Sequence, residues 1–170
     1  VVAMLFIGVG MVSTLHPKFL TLLSVHRPLG IAILVLAVFR LGVRLWRGAP
    51  SLPSDLPLWQ AAAAKASHYL LYGLLIAMPL IGWSMLSAGG YPILLYGPIY
   101  LPKIAPHNDA LYASLRSAHT WLAYLLFATV ILHLGAAVFH ALIRRDGVFA
   151  SMAPRRLKTS NRSVGRGSLP

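Results

Sequence analysis

Apolar residues fall into three long runs, at about 20–46, 61–87 and 111–143, with a shorter run from Val1 to about Leu15. A hydrocarbon core about 30 Å thick takes roughly 20 apolar residues of α-helix to cross. The runs are continuous, without the alternation every second residue that membrane-barrel strands show. Only helices and closed barrels satisfy their backbone polar groups in lipid. The pattern therefore predicts an all-α, transmembrane four-helix bundle with helices at about 1–15, 20–46, 61–87 and 111–143. The connections at 47–59 (RGAPSLPSDLPLW) and 87–109 (SAGGYPILLYGPIYLPKIAPHND) are rich in helix breakers. Residues 1–154 read as one membrane domain and 155–170 as a basic, disordered tail.

Composition agrees: 58% of residues are hydrophobic and 11% charged, where soluble domains keep roughly a quarter charged. The net charge of +12 changes the picture only through its distribution. Arg40, Arg44, Arg47 and Lys65, with Arg144, Arg145, Arg155, Arg156, Lys158, Arg162 and Arg166, outnumber Lys18, Arg27, Lys103 and Arg116 on the opposite side. The positive-inside rule then places the 47–59 loop and the C-terminus in the cytoplasm, and the 87–109 loop outside. Basic residues clustered beside helix ends are topology signals and contacts for anionic lipid, so no nucleic-acid partner is expected.

The absence of cysteine excludes disulfides, iron–sulfur clusters, thiolate ligation and covalent haem attachment. Three acids, Asp55, Asp109 and Asp146, offer no paired carboxylates for hydrolysis or phosphoryl transfer; no catalytic group is assigned. Metal chemistry in this chain falls to histidine.

His119 and His133 are fourteen residues apart, which in a helix is about 21 Å along the axis and within roughly 40° of one face. His140 continues the stripe to the inner interface, where it has an interfacial, quinone or proton role. His26 stands near the outer end of the second predicted helix, which runs inward as the fourth does, so His26 and His119 share a depth. Two facing imidazoles at one level suit the axial positions of a haem iron. Such an iron is six-coordinate and suited to one-electron transfer. A zinc site and plain interhelical hydrogen bonds remain the competing readings. Arg27, Lys103 and Arg116 surround the outer end and would attract an anion such as superoxide or pair with haem propionates. His107 and Asp109 are the nearest proton carriers there. His68, level with His133, reads as a contact to a haem edge or neighbouring helix, or as a substitute ligand.

The segments SVHRPLGIAILVLAVFRLGVRL, SHYLLYGLLIAMPLIGW and SAHTWLAYLLFATVILHLGAAVFH, with MAP at 152–154, resemble helices two to four of the bacterial cytochrome b561 family over residues 20–154. The resemblance implies a multi-pass, di-haem b-type cytochrome of the inner membrane that exchanges electrons with quinone, with superoxide as donor in some members. It implies that His26 and His119 ligate the outer haem, and that His133 ligates an inner haem with a histidine of helix 1. Residues 1–15 contain no histidine and His16 lies at the outer end. The expectation is that the missing ligand stands four to eight residues before Val1 and that the 170-residue form holds only the outer haem b securely. Otherwise His68 partners His133. A self-contained electron carrier, in effect a superoxide:quinone oxidoreductase and possible homodimer, leads. The alternatives are a haem-bearing anchor subunit of a dehydrogenase or hydrogenase and a haem-free metal or proton carrier.

Overall fold

The structure is a computed structural model that describes residues 1–14, 17–48 and 57–144. His16, residues 49–56 of the first connection and everything after residue 144, including Arg145, the 152–154 segment and the basic tail at 155–170, lie outside the described residues. The chain divides into two units, Val1–Leu134 and Gly135–Pro170.

The first unit holds helices α1 (Val2–Ser13), α2 (Lys18–Arg47) and α3 (Leu58–Ala88), strands β1 (Leu94–Tyr96) and β2 (Ile99–Tyr100), and α4, which covers Asp109–Phe139 and enters the second unit. The second unit continues into a π-helical turn at His140–Arg144. Three helices are long and apolar enough to cross a membrane: Lys18–Arg47, Leu58–Ala88 and Asp109–Arg144. The chain is an integral membrane protein with a helical-bundle fold.

Its outward faces are apolar. Phe39, Trp46 and Leu132 are each 70% exposed or more, the arrangement that suits lipid as solvent, since lipid tails give apolar side chains no reason to turn inward. Inside, small residues set the spacing. α1 lies against α2, and a Cβ on Gly10 would come within 3.1 Å of Leu22, one on Gly30 within 3.3 Å of Met4. α3 also packs against α2, and α4 meets α3 through side chains, His119 against Gly82 and His133 against Ser67.

Helix bounds fall within a few residues of the predicted ones, with one consequence. α2 begins at Lys18 and carries Pro28 in its interior. A membrane helix tolerates this because its neighbours re-satisfy the freed carbonyl. Pro79 is likewise internal to α3.

The long connection is more ordered than its prolines suggest. β1 and β2 form a small antiparallel hairpin, Leu94 opposite Tyr100 and Tyr96 opposite Ile99, turned by Gly97 at a φ of 53° and Pro98. This strap is tied to the end of α3. Trp83 Nε1 donates to the Pro102 carbonyl at 2.8 Å, and the Ile104 N–H donates to Ser87 Oγ at 3.1 Å. The Ala88 carbonyl accepts from the Asn108 N–H and from His107 Nδ1, both at 2.9 Å. Asn108 Oδ1 then caps α4 by accepting from the Leu111 N–H at 2.8 Å. Trp83 is thus a strap anchor, and His107, read from the sequence as a proton carrier, is held as a structural donor.

Ser87 is 0% exposed and also donates to the Trp83 carbonyl at 2.9 Å. Replacing it with alanine leaves the Ile104 N–H without its acceptor, a cost of about 1–3 kcal/mol for a buried donor. Ser87→Ala should lower the thermal midpoint in detergent and speed proteolysis in the 90–108 segment. An unchanged cleavage rate there would show that the strap is held by other contacts.

Candidate functional site

Three helices carry one register. From His26 to Arg40 on α2, from Gly82 back to His68 on α3, and from His119 to His133 on α4, the separation is fourteen residues each time. This is about 21 Å of helix rise with the same face nearly restored. The bundle therefore has two levels, one built from His26, Gly82 and His119 and the other from Arg40, His68 and His133.

At the first level the imidazoles of His26 and His119 face each other with ring centroids 6.3 Å apart and planes inclined at 62°. Both Nδ1 atoms are buried without a hydrogen-bond partner, as is Nε of Arg27 beside them. An edge-to-face stack alone accounts for the distance, but it leaves the orphaned nitrogens unexplained. Burying each unpaired polar atom costs about 1–3 kcal/mol. Gly82 makes room for one of the rings: a Cβ there would lie 3.3 Å from His119 Cε1 and 3.6 Å from Nδ1.

The second level differs. His68 and His133 have centroids only 5.2 Å apart, at 65°, and Ser67 Oγ lies 3.4 Å from His133 Nδ1. One turn further along α3, Tyr72 takes a hydrogen bond from Arg40 Nε at 3.1 Å, while the Arg44 guanidinium stands 5.7 Å over its ring. Ser67 and Tyr72 escaped the sequence reading, and Arg40 and Arg44 entered it only as topology signals, although the fourteen-residue spacing that finds Arg40 is visible without a structure.

The remaining predicted residues are dispersed. Lys103 lies exposed on the strap. Arg116 is exposed on α4 in an open groove with Tyr112, Ser117, Thr120 and Trp121. His140, in the second unit, opens the π-helical turn with its ring edge-on to Phe139 at 5.9 Å. Among the described residues no three histidine or carboxylate side chains converge, whereas a closed zinc site takes four ligands.

Paired imidazoles at one depth of a membrane-spanning helical bundle, in a chain without cysteine and with no carboxylate joining them among the described residues, define a class whose chemistry is histidine ligation within lipid. The sequence profile described as prokaryotic cytochrome b561 matches residues 1–155. The chain is 30% identical to cytochrome b561 homolog 1 of Escherichia coli K12 over 81% of its own length and 78% of that protein's. It is 31% identical to the probable superoxide oxidase CybB of Yersinia pestis, over 78% and 74% respectively. Cytochrome b561 homolog 2 of E. coli is 29% identical over 76% and 69%. The chain belongs to the prokaryotic cytochrome b561 family, electron-transfer proteins of membranes that carry b-type haem.

The first level fits that group. A metal ion sits about 2.0–2.1 Å from each imidazole nitrogen; with a ring radius of about 1.1 Å, two rings on opposite sides of one ion have centroids about 6.3 Å apart. His26 and His119 match this spacing. His68 and His133 are about 1 Å too close for it.

Proposed function

We propose that this protein passes single electrons between a donor at the face where α2 begins and quinone in the membrane. His26 and His119 would hold one b-type haem, and His133 would help to hold a second. The observation that carries this reading is the pair of imidazoles at 6.3 Å with both Nδ1 atoms buried and unpaired. When bound, the haem supplies a one-electron couple, and two imidazoles leave its iron no open position. The protein's own share is to hold both rings at one depth and to keep water from them. Arg27, with its buried unpaired Nε, sits where it would meet a haem propionate or an incoming anion.

The name of the Yersinia relative, probable superoxide oxidase, supports superoxide as the outer donor, with Lys103 and Arg116 adding positive charge at that end of the chain's helices. The distribution of arginine and lysine supports insertion in a bacterial inner membrane with the C-terminus in the cytoplasm.

The test is the optical and EPR spectrum of the purified full chain. Reduction should give a sharp visible band that carbon monoxide leaves unchanged. The ferric form should give a low-spin EPR signal. Rapid, complete carbon monoxide binding would remove the two-histidine reading. In proteoliposomes, superoxide should reduce embedded quinone; spectra as expected without that reduction would dismiss superoxide and leave the cytochrome.

A further inference from the structure

Behind His133 stands a hydroxyl group from the neighbouring helix α3. Ser67 Oγ is 3.0 Å from the Ala64 carbonyl on its own helix and 3.4 Å from His133 Nδ1 across the interface with α4. A serine hydroxyl has one proton and two lone pairs, and a carbonyl oxygen only accepts. The proton of Ser67 is therefore committed to Ala64, and towards His133 the oxygen offers a lone pair. His133 must then donate from Nδ1, which in a neutral imidazole leaves the free lone pair on Nε2.

From this we infer that Ser67 is a positioning residue: it fixes His133 in the Nδ1–H form and turns Nε2 away from α3, toward the place where a haem iron is bound. The inference rests on the reading of His133 as a ligand. The spacing of the rings bears on His68 as well. This side chain follows Ser67 on α3 and meets His133 with centroids 5.2 Å apart, about 1 Å too close for the two rings to hold one ion between them. The second ligand is therefore a residue other than His68.

The two levels are unequal in the same terms. His119 interacts with the Met78 backbone but makes no hydrogen bond through Nδ1, whereas His133 Nδ1 has Ser67. An imidazole whose N–H donates to an acceptor is a more basic ligand. Ser67 should therefore favour the ferric state at the second level and lower its midpoint potential.

The experiment is a redox titration of the full haem-loaded protein carrying Ser67→Ala or Ser67→Thr, with His133→Ala identifying which signal belongs to His133. Ser67→Ala should raise the midpoint potential of that haem alone, and Ser67→Thr, which keeps the hydroxyl, should restore it. A general packing defect would move both haems and would not be rescued by threonine. If His133→Ala removes a signal but Ser67→Ala leaves its potential unmoved, the role of Ser67 is wrong while the ligand reading stands. If His133→Ala leaves every haem signal in place, the ligand reading fails and takes Ser67 with it.

Discussion

Replacing His119 with alanine should strip one low-spin haem from the purified protein while leaving the helices inserted. Alanine is the best helix former and the membrane-spanning character of α4 does not depend on one imidazole, so helical content by circular dichroism should be unchanged. What disappears is one of two groups at 6.3 Å that a single iron would join. The same loss is expected for His26→Ala on α2. The double variant should be no worse than either single one, because both act through one shared site. Haem per chain and the reduced-minus-oxidised spectrum provide the measurement. Two single variants that each retain the full difference spectrum would break the pairing.

Gly82→Ala should approach that result without touching a ligand. The added Cβ would stand 3.3 Å from His119 Cε1, close enough that the ring must yield by a few tenths of an ångström in a direction it shares with the iron. Disturbing the surroundings of a metal ligand typically costs 10–100-fold in affinity, and a loss of about tenfold in haem retention is expected here. Gly82→Val, with two more carbons against the ring, should resemble His119→Ala. Gly73 on the same helix has nothing within 4 Å of its Cβ position. Gly73→Ala should therefore keep its haem and gain about 0.5–1 kcal/mol of helix stability. Equal haem retention in Gly82→Ala and Gly73→Ala would show that Gly82 is not a seat for the ring.

What the sequence discloses and what it hides divide along physical lines. The long helices show in it because lipid enforces run length, which survives any side-chain detail. The shared depth of His26 and His119 shows because two helices running the same way keep the same count from the same interface. The hairpin does not, since strands of three and two residues are too short for a period to register, and prolines at 92, 98 and 102 read as breakers. Ser67 was hidden for another reason. A serine within a membrane helix is unremarkable by type, and only its two neighbours, Ala64 and His133, decide where its proton goes. His68 lies between these cases: counting places it level with His133, but the 5.2 Å separation of the two rings shows only in the structure.

The fourteen-residue register has an electrical consequence. With the two levels about 21 Å apart along the helices in a hydrocarbon layer about 30 Å thick, an electron handed from one to the other crosses roughly two thirds of the insulating layer. At about 2.3 kcal/mol per charge for each 100 mV of full membrane potential, that passage gains or loses about 1.5 kcal/mol per 100 mV. With a haem held at each level, as proposed above, the balance of charge between them would be set by the voltage across the bilayer as well as by the ligands: each 100 mV would shift the internal equilibrium about tenfold, making the bundle a voltage-dependent element in whatever electron path it serves.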